Sequence, residues 1–323
     1  MNKHIYITRK IPDAGLQLLK EKGITFDIGK FKIPPTKKQL IKELKKKTYN
    51  GMISFLTDTI DKDVFDSCPT MKVCANFSVG FNNIDINEAQ KRNIGVSNTP
   101  GTSSTAVAEH TVALMLALTT RLVEGDEFIR QGKYKGWDPD IFVGTDMKGK
   151  VIGLIGAGQI GTEVAKILHY GFGSKVIYSD VKQSVDLDNI DETKRMETSE
   201  VLKQADIVSL HVPLLPSTHH LINKESLATM KKTAFLINTS RGPVVDEKAL
   251  VFALEKDIIH GAALDVFEFE PKLTKGLTKL PDIILTPHIA SARQSARDMM
   301  AVLTAKNIIS SFETGQVINK III

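Results

Sequence analysis

Short apolar runs alternate along the first hundred positions with stretches whose apolar residues recur every three or four places. The first kind reads as buried strand and the second as amphipathic helix. Strands are predicted at His4–Thr8, Thr25–Ile28, Gly51–Leu56, Lys72–Phe77 and Gly95–Ser97. Helices are predicted at Pro12–Lys22, Thr36–Lys47, Lys62–Ser67 and Ile86–Arg92. Alternation of this kind builds a doubly wound parallel sheet. Asn98-Thr99-Pro100-Gly101 then breaks the pattern as a hinge. One long helix is expected from Ser104 to about Gln131, followed by an irregular segment, Gly132 to Asp146, that holds the single tryptophan, Trp137. A second alternating series follows. Its strands fit Val151–Ile155, Ser174–Ser179, Ile207–Val212, Ala234–Thr239, Gly261–Val266 and Ile283–Leu285, and its helices fit Thr162–Leu168, Glu197–Gln204, Lys224–Lys231 and Glu247–Lys256. A last long helix, Gln294–Thr314, completes the chain. The expected division is residues 1–99 with 291–323 as one domain and 100–290 as a second, inserted one, with two connecting strands between them.

The second series opens on the most informative stretch. Val151-Ile152-Gly153-Leu154-Ile155 runs into Gly156-Ala157-Gly158-Gln159-Ile160-Gly161, a Gly-x-Gly-x-x-Gly between a strand and a helix, and Asp180 closes the next strand. This is the dinucleotide-binding fingerprint with its parts in order. Gly156 permits the tight turn, Gly158 lets a pyrophosphate approach the backbone, and Gly161 lets helix and strand pack closely. The helix N-terminus then meets the phosphates with free N–H groups and its positive dipole end. Asp180 would accept hydrogen bonds from the adenosine ribose and repel a 2′-phosphate, which favours NAD over NADP; Lys182 tempers that preference.

Composition narrows the setting. Of 323 residues 42% are hydrophobic and 24% charged, as in an ordinary globular protein. No apolar run has the roughly 20 residues of a membrane span, and the N-terminus enters a strand with no leader-like apolar core. The two cysteines, Cys68 and Cys74, form no Cys-x-x-Cys and read as core thiols of a cytoplasmic protein. The net charge of +5 is uneven, since residues 1–50 hold 13 Lys+Arg against 4 Asp+Glu. Lys37, Lys38, Lys42, Lys45, Lys46 and Lys47 gather on one expected helix. Without interleaved aromatics they read as a solvated face rather than a nucleic-acid patch.

Three polar clusters fall at strand ends of the second series, where such sheets hold ligands. They are Asn238-Thr239-Ser240-Arg241-Gly242, Asp265-Val266-Phe267-Glu268-Phe269-Glu270-Pro271 and Thr286-Pro287-His288-Ile289-Ala290. Arginine grips a carboxylate with two parallel hydrogen bonds, and histidine moves protons near neutral pH. A carboxylate beside it favours the imidazolium and sets its tautomer. In the first series, the loop Asn76 to Asp85 follows a strand and offers the N–H groups of Val79 and Gly80. An anion site and a plain turn fit that spacing equally. His219-His220 lacks metal-ligand spacing, no His-Glu-x-x-His or Gly-x-Ser-x-Gly occurs, and no metal site is expected.

Together these motifs resemble the D-2-hydroxyacid dehydrogenase family over nearly the whole chain. The resemblance rests on Val79-Gly80-x-x-Asn83-Ile84-Asp85, Asn98-Thr99-Pro100-Gly101, the fingerprint with Asp180, His211-Val212-Pro213-Leu214 and the three clusters at strand ends. It implies a Rossmann NAD-binding domain inserted in a flavodoxin-like substrate domain. It makes His288 the acid–base residue, Glu270 its partner in preference to Glu268, and Arg241 the group that binds the substrate carboxylate and polarises the keto oxygen. Leu56, Val79, Gly80, Arg241 and His288 would contact the substrate. Thr105, the fingerprint residues Gly156, Gly158, Gln159, Ile160 and Gly161, Asp180, Val212, Pro213, Thr239, Ser240, Arg241, Asp265, His288 and Ala290 would contact NAD. Asp265 would lie near the nicotinamide amide.

Phe55-Leu56-Thr57-Asp58, Asn76 to Phe81 and Trp137-x-Pro139 resemble the glyoxylate and hydroxypyruvate reductases. The expected activity is NADH-dependent reduction of a short 2-oxo acid to the D-2-hydroxy acid, with domain closure about Asn98–Gly101 and Pro287–Ser291 excluding water. Alternatives are a D-lactate-type or phosphoglycerate-type dehydrogenase, or an NAD-sensing, corepressor-like binding protein. The Ser104–Gln131 helix favours a homodimer, and neither a nucleic acid nor a membrane is an expected partner.

Overall fold

The computed structural model describes residues 3–321. In chain order the first series is β1 (His4–Ile7), α1 (Asp13–Glu21), β2 (Thr25–Ile28), α2 (Lys37–Leu44), β3 (Gly51–Ser54), α3 (Lys62–Asp66), β4 (Val73–Asn76), α4 (Ile86–Lys91) and β5 (Gly95–Ser97). The second runs through α5 (Ser104–Thr119), α6 (Leu122–Arg130), β6 (Val151–Ile155), α7 (Gln159–Phe172), β7 (Lys175–Ser179), α8 (Val185–Asp188), β8 (Lys194–Arg195) and α9 (Thr198–Gln204). It continues with β9 (Ile207–Leu210), α10 (Lys224–Thr229), β10 (Phe235–Asn238), α11 (Glu247–Glu255), β11 (Gly261–Leu264) and β12 (Ile283–Leu285). The closing helix is α12 (Gln294–Thr314). Two compact units result: Met1–Ser103 with Ala292–Ile323, and Ser104–Ser291.

The first unit is a five-stranded parallel sheet ordered β2-β1-β3-β4-β5. Strands β3 and β4 are buried along their whole length, as parallel strands covered on both faces must be. One face carries Leu40, Leu44, Val64, Phe65, Ile86 and Ala89 from α2, α3 and α4. The other carries Leu16 and Leu19 of α1 with Met300, Ala301, Ala305 and Ile308 of α12. The C-terminal helix therefore returns to finish the first sheet. Polar caps mark the helix starts: Thr36 and Gln39 form a capping box at α2, and Asp61 and Asp85 cap α3 and α4.

The second unit is a seven-stranded parallel sheet ordered β12-β11-β10-β9-β6-β7-β8. Chain order reverses between β6 and β9, the doubly wound dinucleotide-binding pattern. In the first sheet the reversal falls between β1 and β3. Open parallel sheets hold ligands beyond the carboxyl ends of the strands at such reversals.

The helix expected from Ser104 to Gln131 is two helices, bent by 63°. Arg121 at the break is left-handed, with φ 55°. The carbonyl of Thr119, which a continuous helix would give to the amide four residues on, instead accepts the N–H of Thr145. Arg121 binds Glu124 across the start of α6. No residue of α6 is buried, and Leu122, Val123 and Ile129 are exposed. No single helix among the described residues is long and apolar enough to cross a membrane.

The basic cluster divides as well. Lys37, Lys38 and Lys42 lie on α2, which ends at Leu44, so Lys45, Lys46 and Lys47 follow it. Lys37 pairs with Asp61 and Asp63, Lys46 with Glu43 and Lys47 with Asp27. Cys68 and Cys74 are buried free thiols.

Candidate active site

The fingerprint turn is shaped by three different contacts. Gly156 leaves β6 with φ 103°, a conformation side chains rarely adopt, and a Cβ there would stand 2.6 Å from the His211 carbonyl oxygen on the next strand's end. A Cβ on Gly161 would stand 2.4 Å from the Gly156 oxygen, so helix and strand touch backbone to backbone. A Cβ on Gly158 would meet nothing within 4 Å. The N-terminus of α7 thus opens onto free space with Gly158 as its cap and no side chain covering it. That is the fit a pyrophosphate requires. Gln159 and Ile160 begin the helix, and Gln159 accepts a hydrogen bond from Ser104 at 3.0 Å. Thr105 is exposed on the first turn of α5.

Asp180 follows β7. One carboxylate oxygen accepts the Ala157 N–H at 2.7 Å and the other accepts the Lys182 N–H at 3.0 Å. The acid is thereby tied to the fingerprint turn, with lone pairs left for ribose hydroxyls. Arg195 on the short strand β8 donates to the Asp180 carbonyl at 2.8 Å. In the sequence only Lys182 stands out as a cation there. The two-residue strand β8 and the four-residue helix α8 are both too short to carry a periodic signal, so neither shows in the sequence.

Val212 leaves β9 half-buried beside the Gly156 turn, and Pro213 after it is exposed. At the end of β10, Asn238 organises the loop. Its side-chain oxygen accepts from the Ser240 N–H and hydroxyl, and its amide donates to the Arg241 carbonyl at 3.0 Å. Thr239 shares a 2.8 Å hydrogen bond with Thr111 of α5. A Cβ on Gly242 would fall 1.9 Å from the Phe267 carbonyl, so only glycine lets the loop after β11 cross directly over the Arg241 loop. This crossing brings Glu270 within electrostatic reach of Arg241. Burial lowers the Arg241 guanidinium below its usual range, and the Glu270 charge opposes that shift.

The two candidate glutamates separate cleanly. Glu270 Oε2 lies 3.1 Å from Nδ1 of His288, and its Oε1 accepts the Phe267 N–H at 2.9 Å. Glu268 instead meets His220 at 2.9 Å and exchanges hydrogen bonds with Glu247. Burial acts to raise the Glu270 carboxyl, but the hydrogen bond and charge of His288, the Phe267 N–H and Arg241 together hold it below the usual range. It is ionised at neutral pH.

His288 has φ 54°, a rare conformation for a non-glycine residue. Asp265 holds it there. The fully buried Asp265 accepts the N–H of His288 on its carbonyl. Its carboxylate accepts the Thr286 hydroxyl at 2.6 Å, the Ile289 N–H at 2.9 Å and the Ala290 N–H at 2.8 Å. His110 of α5 lies 3.5 Å away. Burial would raise this acid, yet these partners hold it low. The contact of His110 with an acid 155 positions on leaves no local pattern in the sequence.

Leu56, Val79 and Gly80 belong to the first unit. Leu56 is half-buried after β3, while Val79 is exposed and Gly80 half-buried after β4. The Val79 and Gly80 carbonyls are bound by Asn98 and Asn76, and neither N–H donates within the described residues. Among the described residues no cluster of His, Cys, Asp or Glu is placed to hold a metal ion.

A family model for the NAD-binding domain of D-isomer-specific 2-hydroxyacid dehydrogenases matches residues 112–290. A glyoxylate reductase of Thermofilum pendens is 47% identical over 309 residues, 95% of this chain and 90% of that protein. A crystal structure of a Thermus thermophilus protein superposes with a TM-score of 0.91 at 37% identity, covering 99% of this chain and all of the other. An NADPH-dependent glyoxylate/hydroxypyruvate reductase from Sinorhizobium meliloti, solved with NADP and malonate, gives a TM-score of 0.86 at 28% identity, over 99% of this chain and 97% of that one.

Proposed function

Since the chain belongs to the D-isomer-specific 2-hydroxyacid dehydrogenase family, we propose that it reduces short 2-oxo acids with NADH, glyoxylate to glycolate and hydroxypyruvate to the D-2-hydroxy acid. The observation that carries this reading is the Glu270–His288 contact, with Arg241 in electrostatic reach, on the sheet edge that carries the glycine fingerprint. The reduced nicotinamide supplies the hydride when bound. Glu270 accepts the His288 Nδ1–H, which turns Nε2 toward the reacting carbonyl. From there it gives its proton to the alkoxide as charge develops. Arg241 holds the substrate carboxylate in a fork of two hydrogen bonds and stabilises negative charge on the carbonyl oxygen. Leu56 and the N–H groups of Val79 and Gly80 complete the substrate contacts. On this reading Met1–Ser103 with Ala292–Ile323 form the substrate-binding part.

The dinucleotide would be held by the open N-terminus of α7 at Gly156, Gly158, Gln159, Ile160 and Gly161, by Thr105, by Val212 and Pro213, by Thr239 and Ser240, and by Asp265 and Ala290. Asp180 favours a free 2′-hydroxyl, and Arg195 beside it offers a cation to a 2′-phosphate, so NADPH is the weaker cofactor rather than an excluded one. Exposed Leu122, Val123 and Ile129 on α6, with Tyr134 and Trp137 beyond it, support a homodimer formed through this region. Two free thiols suit a cytoplasmic enzyme.

The test is loss of 340 nm absorbance with NADH and, separately, NADPH against glyoxylate, hydroxypyruvate, pyruvate and phosphohydroxypyruvate. Fast NADH oxidation with the first two supports the proposal. Preference for pyruvate or phosphohydroxypyruvate moves the enzyme to another branch, and silence with all four favours a binding role.

A further inference from the structure

The first sheet reverses its strand order between β1 and β3, and beyond both strands lie side chains, Arg9, Phe55 and Thr57, that the reading above leaves unused. Arg9 stands two residues past β1, and Phe55, Leu56 and Thr57 follow β3. The Arg9 guanidinium lies over the Phe55 ring, 4.6 Å from its centroid, and one of its Nη groups donates to the Thr57 hydroxyl at 2.8 Å. Its Nε is shielded from solvent and has no hydrogen-bond partner among the described residues. The Phe55 ring packs in turn on Phe77, 5.2 Å between centroids, two residues before Val79.

Side-chain amides tie the loop that carries Phe55. Asn83 donates to the Phe55 and Asp58 carbonyls, both at 3.0 Å, and Asn76 donates to Asn83 and to the Gly80 carbonyl. Asp58 is buried and accepts the Phe55 N–H at 2.8 Å. A structural ion pair would be the plainest use of Arg9, but no ion pair joins it to Asp58 among the described residues. Burial keeps the Asp58 carboxyl above the usual range despite the Arg9 charge nearby. A guanidinium held over an aromatic ring and on one hydroxyl, with no carboxylate paired to it among the described residues, keeps donors for a hydrogen-bond acceptor from outside the chain.

We propose that Arg9, set by Phe55 and Thr57, reads the substituent on C3 of the 2-oxo acid and favours a C3 hydroxyl over a C3 methyl or no C3 at all. The proposal rests on the reading that Leu56, Val79 and Gly80 hold the substrate, because Phe55 and Thr57 flank Leu56 directly. A site that donates to a substrate hydroxyl discriminates against analogues without one, since its own polar group is then left unpaired.

The experiment is steady-state kinetics of the full enzyme with NADH on hydroxypyruvate, pyruvate and glyoxylate. In Arg9→Met the ratio of kcat/KM for hydroxypyruvate to that for glyoxylate should fall about 10-fold or more, the worth of one hydrogen bond to a charged donor. The ratio of hydroxypyruvate to pyruvate should fall with it. Thr57→Val, which frees the guanidinium without removing it, should lower the same ratios by a smaller factor, and it keeps the test open should Arg9→Met fail to fold. An equal loss on all three acids overturns the proposal, because it shows Arg9 only supporting the loop. A wild-type enzyme inactive on every 2-oxo acid overturns the reductase reading itself.

Discussion

The carboxyl-end edges of the two sheets use opposite means to hold polar groups. In the second unit the groups are charged and tied by charge: Asp265 gathers Thr286, Ile289 and Ala290, and Glu270 holds His288. In the first unit the corresponding loops are tied mainly by neutral amides, Asn76 and Asn83, with Ser54 donating to Asn76 at 3.0 Å, while Asp58 and Arg9 each add one tie of their own. Charge-assisted hydrogen bonds are roughly twice as strong as neutral ones, and they leave ionised groups in place to move protons. Neutral amides fix a backbone without adding a field that would compete for an anionic substrate. On the proposed reading, the difference suits one edge to chemistry and the other to recognition.

The largest effect should come from the charged edge. His288→Ala is expected to lower kcat by at least ~10²-fold, the usual worth of a placed acid. NADH binding, followed by fluorescence, should persist. Turnover like the wild type would remove His288 from the mechanism and leave the two edges alike.

Much of this edge was legible in the chain. The fingerprint could be read because each glycine answers a local backbone demand and the apolar runs on either side are strand and helix in period. Arg241, Glu270 and His288 stood out as polar clusters at strand ends. The rest depended on contacts that no local pattern encodes. The resemblance already prefers Glu270 to Glu268, but the physical reason lies in the path of the loop over Gly242 and in His220, 48 positions earlier, which occupies Glu268. The break at Arg121 follows from Thr145 capturing the Thr119 carbonyl. An apolar pattern that continues to Gln131 cannot announce that capture. Arg195 reaches Asp180 from a strand too short to have a period.

A sharper contrast comes from removing the organiser of each edge. Asp265→Ala strands a hydroxyl and two backbone N–H groups in a dry site and should destabilise the protein by about 3 kcal/mol. Asn76→Ala removes neutral hydrogen bonds and should cost about 1 kcal/mol. Denaturant midpoints of the two variants check this, and equal losses would remove the distinction between the edges. The Asp265 variant should also lose turnover, because the segment that carries His288 is released.

Cofactor choice offers a milder test. Asp180→Ala should raise kcat/KM for NADPH relative to NADH by about 10-fold, one like-charge contact removed near a phosphate. Adding Arg195→Ala should take part of that gain back, since the gain needs the neighbouring cation. No change in the ratio would place the discrimination elsewhere.

The smallest effect concerns the outer strand of the first unit, where Asp27 makes a charged tie of its own. Asp27 on β2 meets Lys47 at 2.8 Å, Tyr49 at 2.9 Å and His4 at 3.1 Å. Burial pulls its carboxyl upward, but these partners, Lys47 foremost, bring it down to about 2. An unfolded aspartate titrates near ~3.9. A group whose folded value is depressed adds stability that is complete above the unfolded value and lost as pH falls through the folded one. The Asp27 contribution should therefore be whole at pH 5 and fade between about pH 4 and pH 2. Thermal midpoints of the wild type and Asp27→Asn should differ slightly at pH 5, with the wild type higher, and converge toward pH 2. A gap that stays constant with pH would assign the role of Asp27 to hydrogen bonding alone. It would also leave the first unit without a charged tie that acid can release at this strand.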